Sequence, residues 1–533
     1  MKITFLGGTR QVTGSCFLLE NQGFKILVDC GMEQGPDSFE RQNLSILPSS
    51  IDCVLLTHAH IDHSGLLPLL YADGFRGVIY TTSATHQLCN IMLRDAAHIQ
   101  EMEAEWKNRK TERSTGEICK PLYTMGDAEN VIKLFRTREY NESFIIVQNV
   151  SVQFLDAGHL LGSAHIEITY QENEVTKTIV FSGDIGNLER PLLNNPTIIE
   201  NADYVIMEST YGDRAHIKEI DPVKKLATII QNTFNEGGNV IIPSFAVGRT
   251  QEILFYIRQI KEQHLIKNFE DFTVYLDSPL AIEATNIFKN INKRYYDTET
   301  LALLEKGINP IGFPNLKLSL TSDDSKLINL SQSPHVIISA SGMCEAGRIR
   351  HHLKHNIWKK NNTILFVGYQ VQGTLGHAIL SGVESIKLFG EVISVKANIM
   401  TLDNSSAHAD RNTLIKWLSH LKKAPERVFL VHGNERSCEM LAEKVRQEYN
   451  YDAVCPYFGE AYDLEQNIKT ENAIKRMVSR RKGKVAGKPS PFQKLLDALK
   501  RLTIVVNESE GRENRALEKF TKQIDDLSNW WDR

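Results

Sequence analysis

Three histidines and an aspartate fall within six positions of this chain: His58, His60, Asp62 and His63, in LTHAHIDHSG after an apolar run. Clustered imidazoles repel once protonated and gain little from burial, so packing does not explain them. Neutral imidazole nitrogen with carboxylate oxygen is a ligand set for zinc or another first-row divalent ion. The HxH spacing sends two rings to one side of a loop. The adjacent Asp62–His63 pair, pointing elsewhere, can serve a second ion. A two-ion site needs more ligands and a bridging carboxylate. Candidates stand where apolar strands end. His159 in DAGHLLGSA is a third imidazole for the first ion. Asp184 in FSGDIG can bridge, and His408 in SSAHAD can complete the second ion. Asp29 in LVDCG can orient the ligating histidines from behind.

The elements that must position these residues follow from periodicity. KITFLGG, SCFLLEN, FKILVDCG, IDCVLLTH, SVQFLDAGH and KTIVFSGDIG read as strands, several ending in Asp or His. Residues 84–112 have helical periodicity with a charged face. From about residue 209, helices and strands alternate, as in a parallel α/β domain. After about residue 388 the β-rich style returns. The simplest organisation is a sandwich domain (1–208 and 388–468) interrupted by an inserted domain (209–387). An extension, 469–533, follows. Between Lys469 and Arg501 it carries eleven Lys or Arg against two acidic residues. That block reads as a nucleic-acid patch or as a solvated linker. ENRALEKFTKQIDDLSNWW reads as an amphipathic helix suited to packing on a subunit, such as a homodimer partner.

The bulk numbers bound the rest. A chain of 533 residues is too long for one ordinary core. Its net charge of −4 advertises no global basic field, although a local strip can still bind nucleic acid. Eight scattered cysteines without CxxC fit a reducing compartment, hence a cytoplasmic protein. No run of 18 apolar residues exists, so no membrane span is expected.

HAHIDHSG with LVDCG, GHLLGSA and FSGDIG resembles the metallo-β-lactamase superfamily. The flavodiiron oxidoreductases of that fold carry glutamate at the second histidine of HxHxDH. His60 here therefore implies a hydrolytic site with two Zn²⁺ rather than a redox one, within an αββα sandwich. MESTYGDR, PSFAVGRTQE, SASGMCEAGRIRHHLKH, GYQVQGTLG and SSAHAD look like the β-CASP insertion of nucleases. By that resemblance Glu208 is motif A, the GTLGH region motif B and His408 motif C. RNA-processing members, including the cleavage subunit of pre-mRNA 3′-end processing and prokaryotic ribonucleases, carry histidine at motif C. The DNA-repair branch typically carries valine.

The resemblance thus implies a zinc-dependent ribonuclease acting on single-stranded RNA, endo- or exonucleolytic, leaving 5′-phosphate and 3′-hydroxyl ends. Its nucleophile would be a zinc-bridged hydroxide, with Asp62 in the catalytic set and Glu208 or His377 assisting proton transfer. Two departures stand out. His377 falls one position early after GTL, so it either approaches the leaving group or only packs. VHG usually continues to Glu, but Asn434 follows here, which implies a supporting role for His432. Arg249, Ser341 and Gly342 are placed to hold RNA phosphates, with Arg348, Arg350 and Lys354 along the same groove. His351 and His355 read as a solvated helix face. The rivals are a DNA nuclease, a small-molecule hydrolase of the same fold, and a silent RNA-binding scaffold.

Overall fold

A computed structural model describes residues 1–34, 44, 46–111, 118–172, 174–216, 221–402, 406–474, 499, 502, 506 and 514–531. The chain divides into two units, residues 1–477 and 478–533.

Two sheets form the sandwich of the first unit. One has eight strands, in the order Ile468–Glu471, Ala461–Asp463, Lys2–Gly7, Cys16–Asn21, Phe24–Val28, Cys53–Leu55, Val78–Thr81 and Phe135–Thr137. The other has seven: Ala453–Val454, Arg427–Val431, Tyr204–Glu208, Val175–Phe181, Ala164–Glu172, Val150–Asp156 and Ser143–Val147. Side chains on a strand alternate between its two faces. Ile179 and Phe181 therefore enter the core between the sheets, where Phe5 meets Phe429 and Phe17 meets Phe181. Val180 points the other way. With Val205, Met207 and Leu430 it packs under the helices Arg411–Leu418 and Glu435–Tyr449. Helix Ser83–Thr111 covers the first sheet through Leu88, Cys89 and Leu93. The result is an αββα sandwich.

The inserted domain is a six-stranded parallel sheet in the order Leu316–Leu318, Thr273–Leu276, His335–Ser339, Val240–Pro243, Thr363–Phe366 and Asn398–Thr401. Its central strands are buried on both faces, as continuous VIIP and HVIIS runs require. Helix Pro222–Asn235 begins where Asp221 accepts a hydrogen bond from Lys224 N at 3.0 Å. One strand beyond the sequence boundary at 387 joins this sheet. NIMT (398–401) pairs parallel with TILF, so its β-rich character belongs to the insert and not to the sandwich. In the second unit, helix Asn514–Trp531 forms over the amphipathic segment, with Leu517, Phe520 and Ile524 less exposed than their neighbours. Most of the basic block lies outside the described residues.

Strand direction gathers the site. Phe24–Val28 runs parallel to Cys53–Leu55. In the second sheet, Val175–Phe181, Tyr204–Glu208 and Arg427–Val431 are mutually parallel. Val150–Asp156 points the same way, two antiparallel steps across. The residues that follow these carboxyl ends include Asp29, His58, His159, Asp184 and His432. A bridge between Gly186 and His408 brings in the last histidine.

Candidate metal centre

Asp184 sits at the middle of the cluster, 1% exposed. Its Oδ2 lies 3.4 Å from His58 Nε2 and 3.4 Å from His159 Nε2. Its Oδ1 lies 3.2 Å from His63 Nε2 and 3.4 Å from His432 Nε2. The two carboxylate oxygens thus face two different ligand groups. The first is His58, His60, His159 and Asp184; the second is Asp62, His63 and His432. Within the first, His60 Nδ1 lies 3.1 Å from His58 Nε2 and 3.2 Å from His159 Nε2. Zinc–nitrogen bonds near 2.0 Å place tetrahedral ligands about 3.3 Å apart, so this spacing fits one ion.

The outer nitrogens decide which lone pairs point inward. Asp29 Oδ2 faces His63 Nδ1 at 2.7 Å and can only accept, so Nδ1 carries the proton. Thr57 Oγ1 donates to Asp29 Oδ2 at 2.8 Å, which leaves it to accept from His58 Nδ1 at 3.0 Å. The Ala407 carbonyl stands 3.3 Å from His159 Nδ1, and Ser15 Oγ 2.8 Å from His432 Nδ1. In the neutral His58, His63 and His159 rings this leaves Nε2 without the proton, whereas the Ser15 hydroxyl beside His432 can either donate or accept. His63 Nε2, His432 Nε2 and Asp184 Oδ1 are buried and make no hydrogen bond. Buried unpaired polar atoms are costly. Three converging on one point are what a cation would satisfy, so the donor set fits metal.

The charge states agree. Burial pushes His60 down to about 3, and His58 beside it adds to the effect. Burial likewise holds His159 well below, and His432 below, the ordinary imidazole range. Burial opposes ionisation of Asp184, yet His432, His63, His408 and His58 hold its carboxyl well below the usual range. Asp62 is lowered against burial by His63 and His432. Neutral imidazoles beside ionised carboxylates are the states that ligation requires. Against burial, Asp184 and Asp29 raise His63 well above its usual value. His63 is the exception among these rings, and it could ligate only with its Nε2 unprotonated.

The structure changes several expectations. His432, expected in a supporting role, stands inside the second group. His408, expected there, instead places Nδ1 3.2 Å from Glu208 Oε2 and 3.3 Å from Oε1. A carboxylate only accepts, so Nδ1 carries the proton in this arrangement, while Asp184, Glu208 and His408 also form a third group whose atoms lie close enough together to hold an ion. Burial works against this proton, but Glu208 and Asp184 raise His408 to about 9. Glu208 is itself anchored by Ile185 N–H at 2.5 Å. Asn434 accepts from Ser437 N–H at 2.9 Å and caps helix Glu435–Tyr449.

The structure does not bring His377 to the cluster. It lies on the short helix Leu375–Leu380 with Nδ1 3.4 Å from Ser381 Oγ, in none of the ligand groups. Arg249 is no open phosphate clamp: it is buried against Glu252 at 2.8 Å. Arg348 is taken by Asp277 Oδ1 at 2.7 Å and by the Ser319 carbonyl at 2.9 Å. Arg350 lies over the Phe389 ring and donates to the Glu345 carbonyl, and Lys354 pairs with Glu391. Charge in the sequence did not reveal these partners. Ser341 Oγ accepts from Ala346 N–H at 3.4 Å, and the Gly342 carbonyl accepts from Gln370 Nε2 at 3.0 Å, both holding the turn closed. His351 and His355 are exposed, as expected. Sequence reasoning missed Ser15 and Thr57, which orient ligands through hydroxyls that no spacing signals.

Fold and site together define a metal-dependent hydrolase. Known proteins give the same answer. The family model of the metallo-beta-lactamase superfamily matches residues 9–202, and that of the Beta-Casp domain residues 250–379. That of the Zn-dependent metallo-hydrolase RNA specificity domain matches residues 392–456. Ribonuclease TTHA0252 of Thermus thermophilus is 36% identical over 436 residues, 82% of this chain and 94% of that protein. Transcription termination factor FttA of Methanosarcina mazei is 32% identical over 461 residues, 84% of this chain and 69% of that protein. FttA of Pyrococcus abyssi is 31% identical, covering 86% and 70%. This chain belongs to the β-CASP nucleases of the metallo-β-lactamase superfamily. Among the described residues, no helix is long and apolar enough to cross a membrane.

Proposed function

We propose that the chain is a ribonuclease holding two Zn²⁺ and hydrolysing phosphodiester bonds of single-stranded RNA, leaving 5′-phosphate and 3′-hydroxyl ends. One observation carries the reading: the two oxygens of Asp184 face two separate sets of inward lone pairs. His58, His60 and His159 would hold one ion; Asp62, His63 and His432 the other; Asp184 would bridge. When bound, such a pair supplies positive charge for a phosphodiester's non-bridging oxygens and acidifies water at neutral pH. Asp29 and Thr57 keep His63 and His58 in the ligating tautomer, and Ser15 holds the His432 ring in place. Glu208 holds the His408 ring through Nδ1, which positions His408 at the edge of the cluster to pass a proton to the leaving oxygen. RNA is favoured over DNA by His408 at motif C, by the RNA specificity domain match and by a relative named as a ribonuclease.

Purified protein incubated with end-labelled single-stranded RNA and DNA tests the reading, beside an Asp62→Ala/His63→Ala control. Cleavage of RNA with 5′-phosphate products, abolished in the control, is expected. Cleavage of DNA alone, or equal residual activity in the control, would overturn it.

A further inference from the structure

One buried acid outside the ligand groups has so far no role. Glu252 lies in the first turn of helix Arg249–Glu262 of the inserted domain and is 5% exposed. Its Oε2 pairs with Arg249 at 2.8 Å and with Arg190 Nη2 at 3.2 Å. Its Oε1 accepts from the Tyr256 hydroxyl at 2.8 Å. Arg190 belongs to the sandwich. Its other terminal nitrogen, Nη1, donates at 2.8 Å to the main-chain carbonyl of His159. One guanidinium fork therefore spans a carboxylate of the insert and the peptide of a candidate ligand.

Neighbouring contacts make that span decisive. The amides of His159 and Leu160 both donate to Ser163 Oγ at 3.1 Å, so their N–H groups are anchored within the loop. The His159 carbonyl is instead held from outside, by Arg190. Leu160 in turn lies against Gly248, which starts the Glu252 helix with φ +83. Burying two guanidiniums and a carboxylate costs desolvation, and apolar side chains of similar volume would pack the interface as firmly. What apolar groups cannot do is pair the His159 carbonyl, which shares its peptide plane with the Leu160 N–H that Ser163 anchors, so that the plane bearing on the imidazole is held from both sides. Arginine's rigid fork suits this task, because it engages two acceptors at once.

We infer that Glu252 and Arg190 are positioning residues, through which the inserted domain sets His159 for its ion. The inference rests on the two-ion reading above. Loss of the Glu252 charge frees Arg190, and loss of the Arg190 fork leaves the His159 peptide held on its N–H side alone. Either change weakens the ion at His58, His60, His159 and Asp184. Among the described residues, Asp62, His63 and His432 share no hydrogen bond or ion pair with Arg190 or Glu252, so the ion there is expected to hold.

Cobalt(II) titration of the metal-free full-length protein, followed by its visible spectrum and by chelator competition, tests this. The variants are Glu252→Gln, which keeps shape but not charge, Arg190→Lys, which keeps charge but reaches one acceptor only, and the pair combined. In each single variant one cobalt affinity is expected to fall about 10–100-fold while the other holds. The double variant should lose no more than the weaker single, since both act on one path. A merely structural role would lower the melting temperature and leave both affinities unchanged, or weaken both equally; either result overturns the inference. Should Glu252→Gln fail to fold, Arg190→Lys decides alone. Wild-type protein that takes up no cobalt sinks the metal reading and the relay together. Unchanged variants beside a wild type with two cobalt ions sink the relay only.

Discussion

Asp29→Asn probes the tautomer argument with almost no change of shape. Asp29 is 1% exposed and takes three hydrogen bonds. Oδ1 accepts from Thr57 N–H at 2.8 Å; Oδ2 accepts from the Thr57 hydroxyl at 2.8 Å and from His63 Nδ1 at 2.7 Å. Its φ is +58, a left-handed conformation that asparagine also adopts, so the backbone adds no separate penalty. All three partners are donors, and the amide brings two hydrogens of its own. With its NH₂ toward Oδ2's place, it opposes His63 Nδ1–H and the Thr57 hydroxyl; the ring escapes by moving its proton to Nε2, the ligating atom, but the hydroxyl loses its acceptor. With the amide reversed, it opposes Thr57 N–H. Either way a buried donor goes unpaired, at about 1–3 kcal/mol of folding stability. Loss of such a ligand-orienting partner costs about 10–100-fold in metal affinity, or about 1.4–2.7 kcal/mol. Zinc competition against a chromophoric chelator reads this directly. The ion at Asp62, His63 and His432 should weaken by that factor. The other should weaken less, through Thr57 and His58 alone. A folded Asp29→Asn protein with both zinc affinities unchanged would refute the reasoning.

Other perturbations separate roles that the sequence leaves mixed. His408→Ala should lower RNA cleavage by about 10²–10⁴-fold, the usual weight of a positioned proton donor, with metal content by elemental analysis unchanged; loss of an ion would make His408 a ligand after all. Arg348→Ala removes a hydrogen-bonded charge from Asp277 and should cost about 2 kcal/mol by urea unfolding, leaving the salt dependence of RNA binding as it was; a shallower salt dependence would return Arg348 to the phosphate groove. Burial pushes His165 down to about 4, although the Ser182 carbonyl favours its proton. The unfolded imidazole titrates near 6.5, so the unfolded chain protonates first. This contribution is complete above about pH 6.5 and is lost as pH falls toward 4, to a total of about 3 kcal/mol. With chelator present, His165→Leu should therefore lose less stability between about pH 7 and pH 5 than the wild type, and equal losses would count against it.

Much of the centre was legible because its ligands obey a local rule. An apolar run fixes a strand, and the polar residue just past its end lies at one edge of the sheet. HAHIDH, His159 and Asp184 all follow that rule. His432 follows it too, after RVFLV, but its partners lie hundreds of residues away. Only the parallel pairing of Tyr204–Glu208 with Arg427–Val431 reveals them. The surroundings of His408 and His432 were hidden in the same way: Glu208 faces the first and Asp184 the second across hundreds of residues. Arg249 and Arg348 were misplaced because sequence gives charge but not depth. Both are held by carboxylates, Glu252 and Asp277, that carry no motif. That NIMT pairs with TILF was not legible, because it has the composition of a strand in either sheet.

Everything proposed about cleavage depends on two cations held across Asp184. The most direct measurement is the metal content of protein purified without chelator, beside Asp184→Asn. Two transition-metal ions per wild-type chain, and fewer in the variant, are expected. A folded wild-type chain that carries no stoichiometric metal, and takes up none when zinc, manganese or iron is supplied, would contradict it.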